Sequence, residues 1–156
     1  MATDPPVGRV FSLEEATALL PQLRLLVGAQ LELGQEIQRQ VGELYALVGS
    51  GGGESGSAEV VDITVHTTDA PPVRTLKRRL SRLIARYKQG WRDVQSLGAV
   101  VKDTSTGLLD FYGRVEDRLV WLCWKYGEDG IEYYHELDAG FAGRKPLGPV
   151  RKLMLN

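Results

Sequence analysis

The chain has 156 residues, enough for one domain whose core needs neither metal nor disulfide to hold it. Its 19 Lys and Arg stand against 20 Asp and Glu, a net charge of −1 that excludes a polyanion binder acting through total charge. At 25% charged and 43% hydrophobic, the composition also excludes wholesale disorder and a fibrous chain.

The first ten residues carry Asp4 and the pair Pro5-Pro6 in place of a basic start and an apolar stretch, so no secretory signal is expected. Ser12-Leu13-Glu14-Glu15 then reads as a capping box, with Phe11 as its staple. From Leu13, the positions Ala16, Leu20, Leu23, Val27, Gln30, Gly34, Ile37, Val41, Leu44 and Val48 step by three and four, a heptad seam that predicts a helix over 12–48. Leu19, Leu26, Leu33 and Leu47 lie beside the seam and widen it beyond one partner. Pro21 is expected to kink the first turns or to move the helix start.

Gly49 to Ser57 holds five glycines, three serines and a glutamate, and 49–70 reads as a flexible linker or insertion. Within it, Val61, Ile63 and Val65 alternate with polar residues, compatible with a short strand or an extended loop. Pro71-Pro72 opens a second helix over 72–98, since proline suits a first turn whose N–H groups lack partners. Its own seam runs through Val73, Leu76, Leu80, Leu83, Tyr87, Gly90, Val94 and Leu97. Two seams predict a long antiparallel hairpin, with Gly34 facing Tyr87. Helical apolar surface in excess of what one copy covers points to a homodimer.

The segment 99–138 reads as a three- to four-stranded antiparallel meander, with strands at Val100 to Lys102, Leu108 to Val115, Arg118 to Tyr126 and Ile131 to Glu136. If the turns set the register, Leu109, Phe111, Val120, Leu122, Trp124, Ile131, Tyr133 and His135 share the face that belongs on the helices. The other face gathers Asp110, Tyr112, Leu119, Trp121, Cys123, Lys125, Tyr134 and Glu136. Of these, Asp110, Tyr112, Trp121 and Tyr134 are the interface candidates, because aromatic bodies mixed with charge fit a docking surface. A glycine-rich loop and tail, 139–156, completes a single α+β domain. The longest apolar run, Leu119 to Trp124, is too short to span a membrane.

Phe11-Ser-Leu-Glu-Glu-Ala, Val101-Lys-Asp, Gly107-Leu-Leu-Asp-Phe, Leu122-Cys-Trp-Lys-Tyr-Gly-Glu and the run from His135 to Pro146 together resemble a bacterial family, the domain of unknown function 2203. The likeness covers most of the chain. It implies a bacterial cytoplasmic protein and brings no activity with it. Against the family pattern, the Gly/Ser linker and Glu59 to Asp69 look like an insertion.

The run His135 to Pro146 is also the best candidate for chemistry. His135 is a base near neutral pH, Asp138 a residue to orient it, and Arg144, Lys145 and the glycine-loop N–H groups anion holders, with Glu136 beside them. The opposing reading makes His135 a core residue and Asp138 a turn cap. His66 and His135 lie far apart and lack paired-ligand spacing, so no metal and no cofactor are expected, although Asp110, Glu128, Glu136 or Asp138 could hold a hard cation. Cys123, the lone cysteine, sits mid-strand among tryptophans, where packing is its expected role.

The second helix carries Arg74, Lys77, Arg78, Arg79, Arg82, Arg86, Lys88 and Arg92 before its first acid, Asp93. Nucleic-acid binding through this stripe, with Trp121 and Tyr134 as stacking platforms, competes with internal pairing to the acids of the first helix. The expected function is a homodimeric interaction module. The alternatives are a small-ligand or anion binder, or a hydrolase, using His135, Asp138 and Arg144, and a nucleic-acid binder.

Overall fold

A computed structural model of the chain describes residues 8–49 and 62–154. Most of the predicted Gly/Ser linker lies outside the described residues. The chain folds as α1 (Leu13–Val48), α2 (Pro71–Ser96) and the strands β1 (Val100–Asp103), β2 (Leu108–Val115), β3 (Arg118–Lys125), β4 (Tyr133–Glu136) and β5 (Lys145–Pro146). Two short 3-10 turns, Phe141–Gly143 and Gly148–Leu153, flank β5. It divides into two compact units, the first Met1–Leu31 with Trp91–Asn156, the second Glu32–Gly90. Each helix contributes to both.

The capping box forms as the sequence implies. The Glu15 N–H donates to Ser12 Oγ and the Ser12 N–H to Glu15 Oε1, both at 3.0 Å. Pro21 neither moves the start nor interrupts the helix, which runs through it from Leu13. Phe11 is more than a staple, since it is buried and meets Phe111 edge-on at 5.2 Å between ring centroids.

In the second unit, Leu44 of α1 packs with Val73, Leu76 and Leu80 of α2, and Ile37, Val41 and Ile63 lie half-buried against them. Gly34 faces the Tyr87 ring, where an added methyl would sit 3.4 Å from Cε2. With Leu44 near the start of α2 and Gly34 near Tyr87, the helices run antiparallel, as the seams required. Residues 62–66 form no strand, yet the described end of the predicted linker is tied down. Lys77 Nζ donates to the Thr64 carbonyl at 2.9 Å and to both carboxylate oxygens of Asp69 at 3.1 and 3.0 Å. Two of the basic stripe's cations, Arg74 and Lys77, are thereby used within the unit.

The first unit carries a five-stranded antiparallel sheet in the order β1-β2-β3-β4-β5. The fifth strand comes from the segment read as a glycine-rich tail. The β2–β3 hairpin turns at Glu116-Asp117 as expected, with Glu116 in the left-handed region at φ 57°.

The register of β4 differs from the expected one. Trp121 stands opposite His135, Leu122 opposite Tyr134 and Cys123 opposite Tyr133. Residues directly paired across strands share a face, so Tyr133 and His135 leave the Leu122 face and join Asp110 and Cys123, while Tyr134 and Glu136 go the other way. The reason is the connection 126–132, which is an irregular loop with Gly127 at φ 101° and not a tight turn. Such a loop fixes no register, and one residue of slip exchanges every side chain between faces.

Both faces are buried. Leu109, Phe111, Leu122 and Trp124 form the apolar one, alongside Phe11 and the buried Leu20, Leu23 and Val27 of α1 and Val94 of α2. The four interface candidates are buried too: Asp110 is 1% exposed, Tyr112 6%, Trp121 1% and Tyr134 5%. None of these four side chains lies open on the described surface. Lys102 Nζ lies 4.2 Å from the Trp121 ring centroid, and the Arg144 guanidinium lies 4.0 Å over Tyr133.

Candidate functional site

An aspartate in the middle of a strand, flanked by Leu109 and Phe111, needs a partner once water is removed from it. Asp110 finds it two strands away. Tyr112 stacks on Trp121 at 4.0 Å, and Trp121 pairs with His135 across β3 and β4, which sets the imidazole facing β2. His135 Nε2 then lies 2.9 Å from Asp110 Oδ2, and its Nδ1–H donates to the Glu136 carbonyl at 3.1 Å. Cys123, directly opposite Asp110, brings its sulfur to the same place. One donor atom from each of Asp110, Cys123 and His135 lies within 4.8 Å of the others.

The cluster is sealed, with Cys123 0% and His135 2% exposed. Nδ1 of His135 faces the Glu136 carbonyl and Nε2 faces the Asp110 carboxyl group. Burial alone would lower its pKa, but the hydrogen bond to Asp110 and the charge of that carboxylate carry it above the ordinary value. Burial pushes the Cys123 thiol up strongly, Asp110 adds to the shift, and Arg144 acts weakly against it. A protonated, enclosed thiol is no nucleophile. Asp110 Oδ1 is buried with no hydrogen-bond partner among the described residues.

Of the residues expected to form a ligand site, only His135 enters this cluster. Asp138 is exposed in the turn after β4, and the carboxylate that orients His135 is Asp110. Glu136 points to the opposite face, where it accepts from Arg118 at 2.9 Å and lies 3.6 Å from the exposed Lys145. Arg118 is the first cause of its depressed pKa. Arg144 stacks between Tyr133 and Phe141, at 4.0 and 4.7 Å, and its Nη2 donates to both oxygens of Glu128 at 2.8 and 2.7 Å. It does not stand open to an anion. The Asp110–His135 pairing was missed in the sequence, whereas Cys123 is buried as its expected packing role requires. The signal for the pair was Asp110 itself, a charge inside an otherwise apolar strand.

The basic stripe fares differently. Arg78, Arg79, Arg82, Arg86 and Lys88 are exposed, but the expected stacking platforms Trp121 and Tyr134 are buried in the sheet. No helix among the described residues is long and apolar enough to cross a membrane.

Residues 9–147 match the model of a family described as an uncharacterized conserved protein, DUF2203. No curated protein and no solved structure matches the chain.

Proposed function

We propose that this chain, which belongs to the domain of unknown function 2203 family, works as a homodimeric interaction module whose hairpin in the second unit receives the same hairpin of a second copy. The observation that carries it is apolar surface left half-covered on that hairpin. Leu33, Ile37 and Val41 of α1 and Leu83, Ile84 and Tyr87 of α2 are only half-buried, and Leu47 and Val48 are 50% and 53% exposed. Among the described residues only the 62–70 segment, through Ile63, lies over this pair of helices, whereas two hairpins form a four-helix arrangement that covers more of it.

Charge favours a copy of this chain as the occupant. Exposed Glu32 lies on α1, where Glu36 and Glu43 pair with Arg39 of the same helix, while the exposed Arg78, Arg79, Arg82, Arg86 and Lys88 lie on α2. A two-fold interface sets the acidic helix of one copy beside the basic helix of the other. A patch about 25 Å long and two helices (about 20 Å) wide buries on the order of 1,000 Å² across both copies, near the lower bound for specific association. The dimer is therefore a dissociable one.

The sealed His135 and the engaged Arg144 speak against the hydrolase and anion-binder alternatives. A bacterial cytoplasmic setting suits a family of this kind and a chain whose one cysteine stays a buried thiol. Sedimentation velocity at micromolar concentration is the test. Wild type is expected to sediment as a dimer that weakens as salt is raised, and Leu33→Glu with Ile84→Glu as a folded monomer. A strictly monomeric wild type overturns the proposal.

A further inference from the structure

We infer that Asp110, Cys123 and His135 bind one divalent transition-metal ion of the zinc class in the first unit. This does not rest on self-association. Carboxylate, thiolate and imidazole are the donor types such an ion takes, and their donor atoms already lie within 4.8 Å of one another. Tetrahedral bonds of about 2.0–2.3 Å set donors about 3.3–3.8 Å apart, so the His135 Nε2 and Asp110 Oδ2 atoms, now 2.9 Å apart, must open and the sulfur must draw in, a rotation of three side chains on adjacent strands.

Two further observations point to a ligand. His135 Nδ1–H donates to the Glu136 carbonyl, the outer contact that orients metal-binding imidazoles and leaves Nε2 facing the site. Asp110 Oδ1 is buried without a hydrogen-bond partner among the described residues, an acceptor with an unused lone pair inside the cluster.

The charge balance closes. Without metal, the one proton shared between His135 Nε2 and Asp110 Oδ2 leaves that pair with no net charge. When the ion enters, the S–H bond of Cys123 and the Nε2–H bond of His135 break, both electron pairs are donated to the metal, and two protons leave to solvent. The dication with one thiolate and one carboxylate is again neutral, so the buried cluster carries no net charge in either state.

The full chain, stripped with a chelator, is titrated with Co²⁺ alone and then with Zn²⁺. We expect one equivalent of Co²⁺ to bind with thiolate-to-metal charge-transfer absorption and tetrahedral d–d bands, Zn²⁺ to displace it, and about two protons to be released per ion, read by calorimetry in buffers of different ionisation enthalpy. Cys123→Ser is expected to lose the thiolate band, and Asp110→Asn and His135→Gln to weaken binding by more than about 100-fold. Absence of the thiolate band in wild type, or binding unchanged in Cys123→Ser, overturns the inference. Should the variants fail to fold, wild type decides it alone, since binding without proton release or thiolate absorption is binding elsewhere.

Discussion

Single residues differ in how openly they announce their environment. The Ser12–Glu15 box is a local event, complete within one helical turn, and its two hydrogen bonds were legible from four letters. Asp110 announced that it needed a partner but not which one, because the partner is His135, brought in by two strand pairings. Gly98 was silent in the sequence. It ends α2 at φ 106°, and a Cβ there would collide with the Phe11 ring. Gly98→Ala thus adds backbone strain to a clash with a buried aromatic, and urea denaturation is expected to show a loss of about 1–3 kcal/mol. Gly130→Ala, with nothing within 4 Å of the new methyl, is the matched control and should stay within about 0.5 kcal/mol.

At the scale of elements, both helices were legible to within two residues at each end, because their seams and start signals are continuous in sequence. Four of the five strands were legible as well. The β5 pairing was not, since two residues of strand, one of them proline, carry no periodicity. For 62–66 the sequence left a short strand and an extended loop open, and the structure has the loop. What fixes it is Lys77 reaching back to Asp69 and Thr64, a contact between a helix and its own entry that composition does not record.

That contact gives the elements a pH dependence. The Asp69 carboxylate is held below its ordinary value first by the His66 N–H and then by Lys77, Asp103 by the Ser105 hydroxyl and N–H, and Glu136 by Arg118. A carboxylate with a depressed folded-state pKa contributes its stability in full above the unfolded-state value, 3.8 for Asp and 4.5 for Glu, and loses it as pH falls through the folded value. These three carboxylates therefore leave the thermal midpoint unchanged from pH 7 to about 5 and are expected to lower it below about 4. Asp69→Asn should lower the midpoint at pH 7 and flatten the acid slope. An unchanged slope would remove Asp69 from the account.

The molecule as a whole answers to its sequence unevenly. Two seams wider than one partner were read as surplus apolar surface, and half-buried positions such as Leu33, Ile84 and Tyr87 remain on the hairpin of the second unit. The sheet was expected to share the burden of association. Its four aromatic and acidic candidates are instead buried, with Lys102 against Trp121 and Arg144 over Tyr133, and no pattern in 139–156 foretold the Arg144 contact.

One consequence concerns uniqueness, not strength. With an irregular loop before it, β4 is only four residues long and has no turn to choose between its two possible registers. The choice falls to its side chains, and the alternative register would strand the Asp110 charge in the core without His135. A buried polar pair of this kind discriminates between folds more than it stabilises one. Replacing it with Asp110→Val and His135→Leu is expected to keep or raise the unfolding free energy, yet to split the backbone amide resonances of residues 131–136 into two sets. A single sharp set would show that the strand chooses its neighbours by other means.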